Sequence, residues 1–546
     1  MSFSVLSRKD IKSVLASESF DVLVIGGGIT GTGIALDAAS RGLKTALVEK
    51  NDFAFGTSSR STKLIHGGLR YLKQLEFALV KEVGSERAIV HRLAPHLVVP
   101  EKMLLPLYEQ RGLGYWLASI GLKIYDLLAG VKTEDQRKML TKPQTITCEP
   151  LLKADDIKGG AIYAEYRTDD ARLTIEIAKA AHAKGAVLLN YLQATEFEYS
   201  NGQVHAVKLK DMIDDAQFSI RVRSVVNAAG PWVDDLRDIN QSKDTKYLHL
   251  TKGAHIVVPF HRLPVRQAIY FDVPDGRMIF AIPRGRVTYV GTTDTDYKGN
   301  KDAVFATTED ARYLIEAVNA TFPSVHLTLP DIESSWAGLR PLIHEEGKSA
   351  SELSRKDEIF ESSSGLISIA GGKLTGYRKM AERVVDLLLK RKFADRMLPL
   401  CTTDTILLAG AGLRSVQEVR EYSNEIAARV ESLGLKGDHA TYLVHLYGKQ
   451  ADAIIDYATQ HAEIDPEICL AKAELWFALH HEMVVHVTDF LVRRTGLVYF
   501  NIHRLQKIKE PILQAMACTL AWDNLKVSLE REEIDHMINQ TLLFRG

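Results

Sequence analysis

Cysteine is scarce in this chain: four in 546 residues, at Cys148, Cys401, Cys469 and Cys518. No two fall at the close spacing a zinc or iron–sulfur site needs. The pattern predicts a reducing compartment, with the thiols acting as small core residues. An excess of either charge is also missing, because 68 basic against 69 acidic residues leaves a net −1, and nothing global favours nucleic acid. Local basic faces stay open. No run of about 18 apolar residues occurs, so nothing is expected to span a bilayer. The first twenty residues mix charge and serine without the apolar centre of a secretory signal. The chain is too long for one hydrophobic core, and two or three domains are expected.

What is present begins with Phe20 to Lys50. Val22 to Ile25 is a short, mostly β-branched run without polar residues, as a parallel strand buried on both faces requires. Gly26-Gly27-Gly28 and Gly31 follow at once, then a helix containing Ala35, Ala38, Ala39 and Ser40 and closed by Gly42, then a strand ending at Glu49. Gly26 permits the tight turn, Gly28 the approach of backbone N–H groups to a pyrophosphate, and Gly31 the close seating of the helix. The helix N-terminus turns its partial positive charge to the phosphates. Glu49 sits where a carboxylate accepts bonds from ribose hydroxyls and repels a 2′-phosphate, which leaves NAD or FAD.

Residues 51–72 are dense in glycine, hydroxyls and cations and carry no helical or strand period until Leu72, so they predict a loop passing the cofactor. The glycine fingerprint, Gly56-Thr57-Ser58-Ser59, and Lys63-Leu64-Ile65-His66-Gly67-Gly68-Leu69-Arg70-Tyr71-Leu72 together resemble the FAD-dependent glycerol-3-phosphate dehydrogenases, within the D-amino-acid-oxidase-like flavoproteins.

Further along, residues 76–91 have helical spacing, 98–107 read as a strand, and 113–131 as an apolar helix that is either buried in a substrate domain or touches a membrane. A strand over 161–166 precedes Asp169, which is placed to cap a helix starting near Ala171. Strands follow at 186–191 and 203–209. Val225 to Gly230 is a buried strand ending in Ala-Ala-Gly, a second close approach of backbone to a ligand, and it resembles the family's strand beside the adenosine half of FAD. Residues 251–291 read as an antiparallel sheet. Arg340, between Gly338 and Pro341, is expected on a fixed turn. Gly371-Gly372-Lys373-Leu374-Thr375 ends another strand, with a helix expected from Leu374 whose N-terminus faces the flavin pyrimidine. Helical spacing dominates after about Met397, at 418–433, 440–447, 451–460, 471–485 and 487–494. His481 and His486 lie five apart, which turns them away from each other on a helix, and no metal is expected.

The fold class is therefore α/β: a discontinuous FAD-binding Rossmann-like domain (18–75, 150–235, 356–395), an inserted antiparallel-sheet substrate domain (76–149, 236–355) and a C-terminal all-helical domain (396–546).

The resemblance covers nearly the whole chain and implies FAD as cofactor and oxidation of sn-glycerol 3-phosphate to dihydroxyacetone phosphate, with hydride passing from C2 to flavin N5. It places Arg70, Tyr71 and Arg340 at the substrate phosphate and its neighbouring hydroxyl, and Lys373 and Thr375 near the reacting carbon. Arg355 joins them as a loop cation, since arginine grips a phosphate dianion bidentately. His255, then His66, are the candidate bases. Gly26, Gly28, Gly31, Glu49, Thr57, Ser58, Lys63, Ala229, Gly230, Gly371, Gly372, Lys373, Leu374 and Thr375 are assigned to the cofactor.

No metal or thiol relay is seen, so a diffusible electron acceptor, a quinone or another, is implied. The expected location is the cytoplasm, with contact at the inner face of the membrane if a quinone is used. The basic stretch Arg378, Lys379, Arg383, Lys390, Arg391, Lys392 and Arg396 is either a lipid-facing or a solvated surface. Oligomeric state, a homodimer included, stays open. The rival readings are an oxygen-using glycerophosphate oxidase, whose chains carry an extra insertion not seen here, an amine or amino-acid oxidase, and a non-enzymatic flavin-binding protein.

Overall fold

A computed structural model describes residues 2–66, 77–108, 137–243, 245–344, 357–408, 410, 412–542 and 544. Two large sheets organise it. In the eight-stranded first sheet, Ser19–Ile25 lies between Thr45–Val48 and Gln217–Asn227, parallel to both. Leu366–Gly371 joins the far side of Gln217–Asn227 in parallel, and Asp357–Glu361 closes that edge antiparallel. Strands about 200 and 340 residues after the first thus lie beside it, so the sheet is assembled from separated stretches of chain.

The second sheet has ten strands, and its long pairs are antiparallel: Val99–Tyr108 with Ile157–Arg167, and Leu248–Pro259 with Ser334–Ile343. Among the described residues of this sheet, only Ala268–Asp272 runs parallel to a neighbour, Val99–Tyr108. Leu64–Ile65 and Ile157–Arg167 belong to this sheet, although the limits expected from sequence place both with the cofactor domain. The physical reason is the partners: Ile157–Arg167 pairs with Val99–Tyr108, Lys138–Thr141 and Leu64–Ile65 and only at its end passes the chain back. Asp169 caps the next helix, Asp170–Ala183, accepting from the Arg172 N–H at 3.1 Å, and that helix packs on Ile29–Ser40 over the first sheet.

Helix Tyr377–Lys392 buries Met380, Val384, Val385 and Leu388 in the core of the first sheet. Its cations are paired within the chain: Arg378 with Glu86, Arg383 with Asp357 and Glu82, Arg391 with Glu361, and nearby Arg396 with Asp21. A lipid-facing role for this stretch thereby loses its apolar face and most of its uncompensated charge. No described helix is long and apolar enough to cross a membrane.

The C-terminal region is helical, from Val416–Ser432 to Asn524–Leu542. Where sequence predicts a regular helix over 487–494, the chain makes a π-helical turn, Asp489–Arg494. Part of this region closes on itself around Tyr422, Ile454 and Phe477, while Leu475, Leu491 and Ile508 share a core with Tyr289 and Trp336 of the second sheet. Of the cysteines only Cys469 is buried; Cys518 is exposed. His486 bonds Glu530 at 2.5 Å through Nδ1, and no metal-ligating cluster occurs among the described residues. The expected helix over 113–131 lies outside the described residues.

Candidate active site

The glycine turn after the first strand is built on contact distances that no side chain tolerates. A Cβ on Gly31 would stand 1.9 Å from the Gly26 carbonyl oxygen, and one on Gly26, at φ +116°, would stand 2.5 Å from the Ala228 carbonyl. Helix, turn and the strand ending at Asn227 therefore meet as bare backbone. Glu49 closes the crossover, accepting from Gly27 N–H at 2.6 Å and Asn51 N–H at 2.9 Å. Burial pushes its carboxyl up, against the pull of those two N–H groups.

A cavity follows this crossover. Gly26, Gly28, Glu49, Thr57 and Ser58 line one stretch, Ala229, Gly230 and Trp232 another, and Gly371, Gly372, Lys373 and Leu374 the far end. Ser58 takes the Ile29 N–H at 3.0 Å, and the Trp232 indole N–H is buried without a partner among the described residues. A bare-backbone turn, a carboxylate at the second strand, an unspent indole donor and small residues along the length fit an extended dinucleotide.

Lys63, assigned to the cofactor from sequence, does not line this cavity. Its ammonium is buried and turned to Asp170, at 2.5 Å, and to the Ser59 carbonyl. Asp170 also receives the Ser61 N–H and hydroxyl, so Lys63 pins the loop to the helix behind it. A buried ammonium needs such a carboxylate, and the nearest one lies in the helix behind.

A second cavity, of about 160 Å³, shares Thr57, Ser61, Pro341, Gly372, Lys373 and Leu374 with the first. The two spaces adjoin along that wall. The second is otherwise lined by Arg60, Thr62, His66, Gly253, His255, Arg340 and Thr375. Arg340 stands on the strand Ser334–Ile343 and not on a turn, because Pro341 and Gly338 are accommodated within the pairing to Leu248–Pro259. Its guanidinium lies across Gly253, where a Cβ would come within 2.2 Å. It donates to the Thr293 carbonyl, to Asp294 at 3.0 Å and to the Thr292 hydroxyl.

His255 occupies the neighbouring position on Leu248–Pro259, in space left by Gly291. It stacks on Trp336 at 4.7 Å between ring centres, and Nε2 lies 3.0 Å from Thr62 Oγ1. Nδ1 has no partner among the described residues. Burial first, then the charges of Arg340 and Lys63, hold the ring neutral well below the ordinary histidine range. His66 lines the same cavity, its ring edge-on to Phe280, and its carbonyl accepts from Thr375 Oγ1 at 3.3 Å. The helix expected from Leu374 opens as a 3-10 turn, Leu374–Gly376, with α-helix only from Tyr377. Arg70, Tyr71 and Arg355 lie outside the described residues.

Sequence reasoning passed over Arg60, a cation pushed down by burial and stacked on Phe55 at 4.9 Å, and Thr62, which holds His255. Arg60 carried the same signal as the chosen arginines, a cation in the glycine-rich loop. Thr62 had none, because its partner lies 193 residues away.

Residues 21–378 match the family model for FAD dependent oxidoreductases, and 401–527 the model for the C-terminal domain of alpha-glycerophosphate oxidase. The chain is 47% identical over 545 residues to the aerobic glycerol-3-phosphate dehydrogenase of Staphylococcus aureus, covering 99% of this chain and 98% of that protein. The glycerol-3-phosphate dehydrogenase of Bacillus halodurans, solved in complex with FAD, matches over 100% of both chains at 44% identity and a TM-score of 0.85. An L-alpha-glycerophosphate oxidase of Mycoplasma pneumoniae shares the fold, with a TM-score of 0.56 and 21% identity over 71% of this chain and 97% of that one. The chain belongs to the FAD-dependent oxidoreductase family, among its glycerol-3-phosphate dehydrogenases.

Proposed function

We propose that the protein oxidises sn-glycerol 3-phosphate to dihydroxyacetone phosphate and passes the electrons to a quinone-type acceptor. The observation that carries the reading is the shared wall, Thr57, Ser61, Pro341, Gly372, Lys373 and Leu374, between the cofactor cavity and a small cavity lined by Arg60, Arg340, Lys373 and two histidines.

The glycine turn, Glu49, Ala229, Gly230 and Trp232 would hold the dinucleotide part of FAD, and Gly371 to Thr375 would reach its other end. When bound, the flavin supplies the hydride acceptor. Arg340 and Arg60 give the phosphate its charge-assisted donors, since a dianion in a half-buried cavity is stabilised chiefly by fixed cations. Lys373, on the wall between the cavities, orients the hydroxyl end. His255 is the base: its depressed pKa keeps it unprotonated at neutral pH, and Thr62 Oγ1, 3.0 Å from Nε2, fixes the ring beside the cavity where the C2 hydroxyl proton is to be taken. His66, on the same cavity, is the second candidate.

Anaerobic addition of sn-glycerol 3-phosphate bleaches the oxidised flavin spectrum if this reading holds; an unchanged spectrum excludes the activity. Reoxidation of the bleached enzyme by a soluble quinone faster than by oxygen supports the quinone acceptor. Faster reoxidation by oxygen, with hydrogen peroxide formed, would make it an oxidase.

A further inference from the structure

The loop that carries Phe55, Gly56, Thr57 and Ser58 along the cofactor cavity begins at Asp52, and Asp52 is buried without any contact to that cavity. Its partners come from the far end of the chain. Arg493 Nε donates to Oδ2 at 2.5 Å, and Arg494 takes both oxygens in a fork at 2.7 and 2.9 Å. Asn190 adds a third donor at 3.1 Å and spans to the Met483 carbonyl.

Both arginines stand on the π-helical turn Asp489–Arg494 and are held there in turn. Arg493 reaches Asp489 at 2.5 Å, and Arg494 reaches the Glu482 carbonyl at 2.7 Å. The Glu482 carboxylate receives Arg172 and Lys179 from the helix Asp170–Ala183, whose first residue anchors Ser61 and Lys63. Four buried acids, Asp52, Glu176, Glu482 and Asp489, thus form one network with four buried bases, Arg172, Lys179, Arg493 and Arg494, and the pairs Asp52–Arg493, Asp52–Arg494, Glu482–Arg172 and Glu482–Lys179 cross between the cofactor domain and the C-terminal helices. Such a network is costly to desolvate and gives little net stability over apolar packing, but leaving one member unpaired is severe. Its yield is geometry: a bidentate guanidinium fixes the carboxylate, and so the loop, in one place.

We propose that Asp52, Arg493 and Arg494 are positioning residues that hold the cofactor loop in its binding conformation, making FAD retention depend on the C-terminal helices. The same turn of loop that Asp52 anchors, with the Phe55 N–H bonded to the Asp52 carbonyl and the Ala54 N–H to the Gly27 carbonyl, presents Phe55 to the cavity and lies over the glycine turn. The inference rests on the cofactor cavity and is independent of the substrate.

The test measures the dissociation constant of FAD for the full-length protein, with thermal stability alongside. The variants are Asp52→Asn, Arg494→Lys, and, as control, Glu474→Gln, which strips a charge from a buried pair with Arg504 wholly inside the C-terminal helices. Asp52→Asn and Arg494→Lys are expected to weaken FAD binding by about tenfold or more, while Glu474→Gln lowers thermal stability and leaves binding within about twofold. Should Asp52→Asn fail to fold, Arg494→Lys, which keeps the charge and loses the fork together with the Glu482 carbonyl contact, carries the test alone, with Arg493→Lys as its repeat. Unchanged FAD binding in the lysine variants overturns the proposal. So does equal loosening in Glu474→Gln, which would reduce the effect to general destabilisation.

Discussion

The two halves of the site are built by different means. The cofactor half is made of backbone and small side chains: Gly26, Gly28 and Gly31 at the turn, Ala229 and Gly230 at the second approach, Gly371 and Gly372 at the third. The proposed substrate half is a cavity lined by long polar side chains, Arg60, His66, His255, Arg340 and Lys373, brought together from strands and loops far apart in sequence. A dinucleotide offers length and a pyrophosphate that N–H groups and a helix terminus suit. A small phosphorylated alcohol instead needs charge and a base at fixed points.

The two halves should therefore fail differently. The largest effect is expected from Gly31→Val, because even its Cβ would fall within bonding distance of the Gly26 carbonyl: the purified protein should carry no flavin, and a stoichiometric yellow holoenzyme would refute the backbone account. Next, Arg340→Ala should keep its flavin and lose kcat/KM by about a hundredfold, ~3 kcal/mol, mostly through KM. Flavin loss instead would place Arg340 with the cofactor.

The pH dependence sharpens the substrate half. Since His255 is held neutral well below 6.5, the rate should stay level as pH falls through the ordinary histidine range, and a rate profile breaking near 6.5 in wild type, absent in His255→Asn, would show a solvated base.

The smallest effect concerns stability at the boundary with the C-terminal helices. His96 is fully buried there, neutral down to about 3, chiefly by desolvation and then by the charges of Arg172, His445 and Lys179. Its folded pKa lies below the unfolded value, so the unfolded chain binds the extra proton. Stability from this residue is full above about 6.5 and falls as pH drops toward 3, by up to a few kcal/mol. Denaturant titrations at stepped pH should show that fall, and His96→Leu should lessen it.

How much was legible follows the same division. The cofactor half could be read because its rules are local: a β-branched run, glycines at fixed offsets and an acid at the next strand are all within thirty residues. The fold class was legible for that reason, and because the resemblance extended along the chain. The substrate half depends on register. Nothing in Gly338-Leu339-Arg340-Pro341 reveals that it pairs with Leu250 to Gly253 as a strand, or that Gly253 clears space for the guanidinium. Lys63 misled because a loop cation beside a cofactor motif looks alike whether it meets a ligand or Asp170. The basic stretch from Arg378 to Arg396 stays open between two surfaces in the sequence because its counter-ions Glu86, Glu82, Asp357 and Asp21 are scattered along the chain.

The central claim is that a cavity of fixed cations beside the flavin selects a phosphorylated alcohol. Anaerobic stopped-flow reduction of the bound flavin by sn-glycerol 3-phosphate and by glycerol, in wild type and in Arg340→Ala, tests it most directly. The account predicts that the substitution raises the half-saturating concentration of the phosphorylated substrate and leaves the slow reduction by glycerol unchanged. Equal losses with both substrates, or none with either, would contradict it.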